Sequence, residues 1–216
     1  DGTFLGAARR YAPRHATLIG INLGYLGFLT DISLDNMQQS LLEVLDGDCR
    51  NEQRFMLSTT FNGNLLNADL SVAINDVVIS RGSAGTLLKL RVYIGETLAY
   101  ELRADGLILS TPSGSTAYAL SAGGPIVAPD LDAILLVPLC PHALTYRPLM
   151  VRADYTVRIE VVQAESARAH IDGQGDYLLK SGDSIEVCRH EAPLSICHPT
   201  NYDYYQTLRK KLLWGG

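Results

Sequence analysis

The chain has 216 residues, of which 47% are hydrophobic and 19% are charged, with a formal net charge of −5 at pH 7. This composition excludes a disordered polypeptide and is typical of a globular protein that can bury a substantial core. Basic residues cluster only at residues 209–211, so no nucleic acid partner is expected. The chain has no apolar run of roughly 18 residues and no signal-peptide pattern at its start, so we predict a cytoplasmic protein without a membrane partner.

Cysteine and histidine lack the spacing that metal sites need. Structural zinc sites usually show paired Cys-x-x-Cys or His-x-x-x-His motifs, and none occurs here. We therefore predict free thiols and no metal ligands among the residues of the chain. No histidine has the spacing of a catalytic pair either, and His142 beside its prolines is expected to be structural.

The first part of the chain predicts alternating helix and strand. Apolar residues over 4–11 follow helical spacing, residues 17–21 indicate a buried strand, and Ser33 or Asp35 can cap a helix that Gly47 ends. One clear strand without a partner sheet cannot close a core by itself. We therefore expect the protein to include sequence before Asp1.

From residue 54 onward, short runs rich in Val, Ile, Leu, Thr and Tyr alternate with turn signals. This pattern of short apolar runs and turns predicts an all-β region with two packed sheets. The predicted strands are residues 55–61, 70–74, 87–94, 98–103, 107–110, 133–138, 156–162 and 184–187. Residues 204–214 predict a final helix that covers the α/β part.

The most informative segment is Asp-Gly-Leu-Ile-Leu-Ser-Thr-Pro-Ser-Gly-Ser-Thr-Ala-Tyr-Ala-Leu-Ser-Ala-Gly-Gly-Pro at residues 105–125. A buried strand is followed there by small residues that let a ligand approach the backbone closely. Hydroxyl groups and backbone amides collect at the same place, and Tyr118 offers a flat stacking surface. The segment predicts a nucleotide-binding site.

This segment resembles the adenosine-binding motif of the bacterial NAD kinases. Two further blocks resemble the family in the expected order: Asp1-Gly2-Thr3, as the end of a Gly-Gly-Asp-Gly-Thr phosphate loop, and Asn75-Asp76. Residues 20–30, 141–149 and 208–214 are also similar to bacterial members. The resemblance covers almost the whole chain.

The resemblance implies an α+β fold with a remnant of an N-terminal α/β (Rossmann-like) domain and an all-β sandwich domain. Residues 1–50 would be the C-terminal portion of the α/β ATP-binding domain, residues 51–200 the NAD-binding domain, and residues 201–216 the returning helix. The implied enzyme transfers the γ-phosphate of ATP to the 2′-hydroxyl of the adenosine ribose of NAD, with Mg²⁺ or another divalent cation. It also implies a homodimer or homotetramer, with residues 141–149 in the interface.

Site residues follow from the same resemblance. Asp1 is the implied base for the 2′-hydroxyl, and Gly2 adds phosphate donors at a helix start. Asn75 is expected to meet adenine and Asp76 the ribose hydroxyls. The other implied binding residues are Thr86, Arg103, Asp105, Ser113, Thr116, Ala117, Tyr118, Ala119, Leu120, Ser121 and Gln174.

Simpler interpretations stay open for several of these residues. Asp1 can cap a helix, and Asn75-Asp76 can mark a bulge or a strand end. Arg103 and Asp105 can form an ion pair. Asp172-Gly173-Gln174 resembles a family position near the ligand, with Gln174 preferred as the contact, but Asp172-Gly173 can equally be an ordinary hairpin turn. Two other functions also remain: a lipid kinase of the diacylglycerol or sphingosine type, and a module that binds NAD or NADP without catalysis.

Overall fold

The computed structural model describes residues 2–24, 27–65, 71–82 and 86–214, and the chain divides into two compact units. The first unit comprises Asp1–Arg54 and Ala192–Gly216, and the second comprises Phe55–Glu191. The predicted limits at residues 50 and 200 differ from this division. The reason is that the strand Leu194–Pro199 pairs with strands of the first unit rather than with the β-rich region before it.

Helices and strands are numbered in chain order. The helices of the described residues are α1 (Gly2–Tyr11), α2 (Met37–Leu45), α3 (Tyr118–Ser121) and α4 (Tyr204–Leu212). The strands are β1 (Thr17–Leu18), β2 (Ile21–Asn22), β3 (Ile32–Ser33), β4 (Cys49–Arg54), β5 (Leu57–Phe61), β6 (Asn64–Leu65), β7 (Val72–Ala73), β8 (Asp76–Arg81), β9 (Leu88–Ile94), β10 (Thr97–Ala104), β11 (Gly106–Ser110), β12 (Ala133–Leu139), β13 (Leu149–Arg152), β14 (Val157–Gln163), β15 (Ala167–Ile171), β16 (Gln174–Leu179), β17 (Ser184–Arg189) and β18 (Leu194–Pro199). Among the helices of the described ranges, none combines the length and the apolar character that crossing a bilayer requires.

The first unit contains α1, α2 and α4 beside a small sheet in which β18 lies between β1 and β4. Strand β1 runs parallel to β18, and β4 runs antiparallel to it. The predicted strand 17–21 is interrupted at residues 19–20. There the backbone of Gly20 lies so close to Leu29 that a side chain at residue 20 would overlap the carbonyl oxygen of Leu29. The predicted C-terminal helix is observed, and Asp203 caps α4 by accepting a hydrogen bond of 2.8 Å from the amide of Tyr205.

A buried ionic cluster, formed by Asp31, Glu52, Arg54 and His198, lies in the first unit. The Nδ1 atom of His198 is 3.2 Å from Asp31, and its Nε2 atom is 3.1 Å from Glu52, whose other oxygen is 3.1 Å from Arg54. Burial acts to raise the pKa of Glu52, but the neighbouring imidazole of His198 and the charge of Arg54 lower it to about 2. Burial acts to lower the pKa of His198, and the two carboxylates raise it above its ordinary value.

Two antiparallel sheets form the second unit. One has the strand order β10-β9-β14-β17-β5-β6, with β7 also paired to β5, and the other has the order β13-β12-β11-β8-β15-β16. Their facing side chains share one hydrophobic core that includes Leu90, Ile79, Leu109 and Ile159. The predicted α+β class and the two-sheet sandwich are confirmed.

Several strands of the second unit escaped prediction from the sequence. Strand β8 begins with an acidic residue and has only three consecutive apolar residues, Val77 to Ile79. Strands β15 and β16 carry Arg168, His170 and Asp176 at alternate positions, so neither of these two shows a long apolar run. Their other side chains, such as Ala169, face the core. Predicted strand 70–74 is represented by β7, and its first residue lies outside the described residues.

Candidate functional site

A cavity of about 430 Å³ opens on the outer face of the six-stranded sheet of the second unit. It lies near the start of β8, the end of β15 and the start of α3. Its lining residues are Asn75, Asp76, Val78, Ser80, Ala117, Tyr118, His170, Asp172 and Gly173. Polar and apolar groups therefore share one concave surface in the second unit.

The alternation of side chains along β8 explains why this strand serves both the core and the cavity. Successive side chains of a strand point to opposite faces of the sheet. Val77 and Ile79 belong to the sandwich core, while Asp76, Val78 and Ser80 line the cavity. On β15, His170 is the register partner of Val78 and faces the same cavity.

The backbone just before β8 is tied to the end of β11. The carbonyl oxygen of Asn75 accepts hydrogen bonds from the amide of Thr111 at 2.9 Å and the hydroxyl of Ser110 at 3.3 Å. The hydroxyl of Thr111 donates to the carbonyl of Ile74 at 2.6 Å. Because these bonds use backbone groups, the side chain of Asn75 is left to face the cavity.

Small residues after β11 permit this close packing. A side chain at Gly114 would overlap the carbonyl oxygen of Asn75, so only glycine fits at that point without displacing the segment. The hydroxyl of Ser115 donates to Pro112 at 2.6 Å and accepts from the amide of Val127 at 3.0 Å. The predicted small-residue turn therefore has a structural role beside the cavity.

Asp76 is 5% exposed, and its electrostatic surroundings are unfavourable for a charge. Burial, followed by the charge of Asp172, raises the pKa of Asp76 from its ordinary value to about 7. Near neutral pH this carboxyl group therefore exchanges readily between its two protonation states. Buried carboxyl groups with pKa values shifted in this way occur preferentially at functional sites.

The structure brings four of the predicted site residues together at the cavity: Asn75, Asp76, Ala117 and Tyr118. Tyr118 is 48% exposed, which leaves its ring accessible for stacking. Asp76 is the first residue of β8, Asn75 directly precedes it, and both residues line the cavity.

Other predicted residues of the turn contribute to its internal structure. Ser113 is buried, and its carbonyl oxygen accepts a hydrogen bond of 3.2 Å from the hydroxyl of Thr116. Ala119 is fully buried in an apolar cluster with Ile108 and Val127, so its side chain has no access to a ligand. The side chain of Ala119 thus packs on the outer face of the sheet, and the predicted ligand contact of this residue stays a prediction.

The structure places six further predicted residues outside the lining of this cavity: Thr86, Arg103, Asp105, Leu120, Ser121 and Gln174. The ion pair considered between Arg103 and Asp105 is not the one observed. Instead, Asp105 pairs with Arg81 at 2.9 Å, because the register puts the last residue of β8 beside the turn between β10 and β11.

The predicted phosphate loop is described from Gly2 onward, and Asp1, the predicted base, lies outside the described residues. Gly2 is the first residue of α1, so its amide lies at a helix start. A side chain at this position would meet open space. Thr3 lines a second cavity of about 470 Å³ in the first unit, together with Phe4, Ala7, Leu18, Ile19, Ile21, Asn22, Leu23 and Thr30. An anion at this helix start would be favoured by the helix dipole.

Sequence reasoning missed several residues that line the cavity of the second unit. For Asp172-Gly173-Gln174, the family resemblance implied a position near the ligand, with an ordinary hairpin turn as the alternative for Asp172-Gly173. The structure places Asp172 and Gly173 at the cavity, in the turn between β15 and β16. His170 and Ser80 were missed because β15 was not predicted as a strand and β8 was not recognised. The alternation Ala-Arg-Ala-His-Ile over 167–171 was the signal that could have placed His170 on an outer sheet face.

Among the described residues, no group of three or more His, Cys, Asp and Glu side chains is arranged to hold a metal ion.

Comparison with protein families gives two matches in chain order. Residues 1–49 match the ATP-NAD kinase N-terminal domain, and residues 74–198 match the ATP-NAD kinase C-terminal domain. The second match includes every residue that lines the cavity of the second unit.

Curated relatives extend over the whole chain. The NAD kinase of Thiobacillus denitrificans is 45% identical over 219 residues, which cover 100% of this chain and 74% of the relative. The NAD kinase of Neisseria gonorrhoeae is 45% identical over 215 residues, covering 100% of this chain and 73% of the relative. The chain thus spans about three quarters of these relatives.

Solved structures agree with the fold. Yeast NADH kinase complexed with NADH superimposes with a TM-score of 0.89 at 30% identity, over 100% of this chain and 64% of that chain. An NAD kinase from Archaeoglobus fulgidus in complex with ATP gives a TM-score of 0.78 at 25% identity, over 93% of this chain and 75% of that one. The chain therefore spans less than two thirds of the yeast protein.

Proposed function

Because the chain belongs to the ATP-NAD kinase family, we propose that the protein transfers the γ-phosphate of ATP to the 2′-hydroxyl of the adenosine ribose of NAD, giving NADP and ADP. The family predicted from three short motifs is confirmed. The relatives named above are NAD kinases or an NADH kinase, and they do not favour a lipid kinase or a non-catalytic module.

The observation that carries the proposal is the cavity of the second unit, where a flat ring, an amide and an acidic pair converge. Tyr118 offers a stacking face for a base, and Asn75 offers an amide that can pair with an adenine edge. Asp76, when ionised, offers acceptor oxygens for ribose hydroxyl groups. These groups match the adenosine half of NAD.

The proposed chemistry forms a bond between the ribose 2′-oxygen and the γ-phosphorus and breaks the bond between that phosphorus and the bridging oxygen of ATP. ADP leaves, and the 2′-hydroxyl proton passes to a base. The family resemblance supports Asp1 as this base and Gly2 with Thr3 as phosphate contacts at the start of α1. In such reactions the protein acts mainly by positioning and by stabilising charge.

Magnesium belongs to this proposal through the family resemblance and the charge of ATP. When bound with the nucleotide, it would neutralise phosphate charge. Within the ranges that the structure describes, no acidic or histidine cluster is suited to hold the ion alone. From the family resemblance we propose that Asp1 would help to hold the Mg²⁺ that accompanies ATP.

Location and assembly form a second part of the proposal. We propose a cytoplasmic homodimer or homotetramer, as the resemblance implies. Support for an interface comes from the edge strand β13, where Met150 is exposed, and from the neighbouring loop, where Leu144 is 87% exposed. Exposed apolar side chains near a sheet edge favour association with another chain.

The direct test incubates the full-length protein with NAD, ATP and Mg²⁺ and identifies the product by mass spectrometry with fragmentation. We expect a gain of one phosphate on the adenosine ribose of NAD. A parallel reaction supplies diacylglycerol or sphingosine in place of NAD, and no lipid phosphate is expected. Calorimetric binding of NAD without turnover would instead favour the non-catalytic module.

A further inference from the structure

The turn between β15 and β16 reaches across to the start of β8 through a single carboxylate. Asp172 accepts hydrogen bonds from three successive backbone amides, those of Ile74 at 3.0 Å, Asn75 at 2.7 Å and Asp76 at 3.1 Å. A carboxylate is suited to this task because its two oxygens can accept several hydrogen bonds at once. One side chain thus fixes the backbone of the two residues that face the proposed adenosine.

Hydrogen bonds run both from the start of β8 to the turn and from the turn to β8. The amide of Asp172 donates a hydrogen bond of 2.9 Å to the carbonyl oxygen of Asp76. Asp172 has a φ of 49°, a left-handed conformation that Asp and Asn adopt more readily than most residues. The backbone of this turn therefore favours a short side chain with an oxygen acceptor.

On its other side, the same segment is tied to β11. Asn75 accepts hydrogen bonds from Thr111 and Ser110 through its carbonyl, while its amide donates to Asp172. Both backbone groups of Asn75 are thereby satisfied within the protein. Of these partners, Asp172 is the one that also lines the cavity.

The arrangement has an electrostatic cost. The charge of Asp172 acts on the buried carboxyl group of Asp76 and makes its ionisation harder, in addition to the effect of burial. A neutral Asn at position 172 would still offer an acceptor oxygen and would remove this repulsion. The charge-assisted bonds to three amides offset the repulsion and keep the segment in one conformation.

Accepting NAD phosphorylation as the function, we propose that Asp172 is a positioning residue for NAD. Its carboxylate fixes the Ile74–Asp76 backbone so that Asn75 and Asp76 present their side chains to the adenosine, and it tunes the protonation of Asp76. Phosphoryl transfer itself does not use Asp172. The expected role is therefore in NAD binding rather than in the rate of the bound complex.

The test measures steady-state kinetics of full-length Asp172→Asn and Asp172→Ala with NAD varied and ATP saturating. We expect the KM for NAD to rise by about tenfold or more in Asp172→Ala and by less in Asp172→Asn, with kcat within about threefold of the parent protein. A fall in kcat at unchanged KM would overturn the positioning role.

A pH profile supplies a second readout that a purely structural role would not change. The titratable side chains that line the cavity with Asp76 are Asp172 from the β15–β16 turn, His170 from β15 and Tyr118 from α3. In the parent protein, kcat/KM for NAD should rise through a midpoint near pH 7, as Asp76 ionises. In Asp172→Asn this midpoint should move to lower pH by about half a unit or more. A midpoint that stays in place would contradict the proposal.

Asp183→Asn is the matched control. Asp183 also holds a turn of the second unit, since it accepts hydrogen bonds from the amide of Lys180 at 2.7 Å and the side chain of Asn62 at 3.0 Å. This variant should leave the KM for NAD and the pH midpoint unchanged, and an equal change in both variants would overturn the inference. If Asp172→Ala does not fold, Asp172→Asn decides the test. If the parent protein does not phosphorylate NAD, the proposed function fails as well, whereas an active parent with unchanged Asp172 variants refutes only this inference.

Discussion

Each unit of the molecule buries acidic groups, but it surrounds them differently. In the first unit, Glu52 lies between His198 and Arg54, and its pKa is about 2 despite burial. In the second unit, Asp76 is buried beside another carboxylate, and its pKa is about 7. A compensated buried charge holds structure together, whereas one placed beside a like charge costs stability and is available for a ligand. The first arrangement is structural, and we attribute the second to NAD binding.

The largest expected effect comes from removing His198, one of the two basic residues of the first cluster. His198→Ala leaves Asp31 and Glu52 buried without their shared imidazole, so we expect the free energy of unfolding to fall by about 3–5 kcal/mol. Chemical denaturation followed by circular dichroism measures this change. The control is His15→Asn, an exposed histidine in a left-handed conformation that Asn tolerates. Equal stability of the two variants would contradict the structural role that we assign to the cluster around His198.

Removing the charge of Asp76 should impair activity with NAD rather than lower stability. In Asp76→Asn, we expect kcat/KM for NAD to fall on the order of 100-fold, because an amide replaces the charged acceptor of the ribose hydroxyls. The matched variant Glu52→Gln should lower stability and leave the KM for NAD unchanged at a temperature where it is folded. Initial rates at varied NAD test both variants. A KM effect in Glu52→Gln as large as that in Asp76→Asn would erase the distinction between the units.

The pH dependence of stability sharpens the same contrast. The pKa of Asp76 in the folded state is raised from 3.8 to about 7, so its ionisation destabilises the fold increasingly as pH rises from about 4 to 7. Without ligand, Asp76→Asn should match the parent at pH 4 and be more stable by about 4 kcal/mol at pH 8. Glu52 has the opposite sign, since its lowered pKa gives stability above pH 4.5 that is lost as pH falls toward 2. Denaturation midpoints across pH test both signs, and a gain for Asp76→Asn at pH 4 as large as at pH 8 would refute this account.

The smallest effect is expected at Tyr118, whose exposed ring is proposed to stack on a base. Tyr118→Ala should raise the KM for NAD by about tenfold, since one base–aromatic contact is worth about 1–3 kcal/mol. Tyr118→Phe keeps the stacking face and should stay within about twofold of the parent. Initial rates at varied NAD measure both, and equal losses would assign the effect to the hydroxyl instead.

The sequence allowed prediction of the family, the two-sheet sandwich and part of the site because those depend on local signals. The run from Leu107 through Tyr118 displays its strand, its small-residue turn and its stacking ring in one segment. The role of Asp172 depends on a pairing with residues almost one hundred positions away, and no local pattern specifies it. The ionic cluster around His198 was missed for the same reason, since its partners come from separate elements.

The boundary between the two units shows that long-range strand pairing can override a local sequence pattern. Strand β18 has the apolar alternation of the sandwich strands, yet it lies between β1 and β4 in the first unit. Its parallel pairing with β1 joins residues such as Leu18 and Ile196. Composition alone would place β18 in the all-β region. The sequence of a strand does not specify which distant strand it pairs with.

The most direct measurement is proton release on NAD binding, obtained by calorimetric titration of full-length protein at pH 7 in buffers of different ionisation enthalpy. Because the pKa of Asp76 is about 7, roughly half of the molecules carry its proton at this pH, and binding ribose hydroxyls to the carboxylate should release about half a proton per NAD. The release should disappear in Asp76→Asn and remain in Asp183→Asn. NAD binding without proton release in the parent protein, or with the same release in Asp76→Asn, would contradict the assignment of Asp76 to the adenosine ribose.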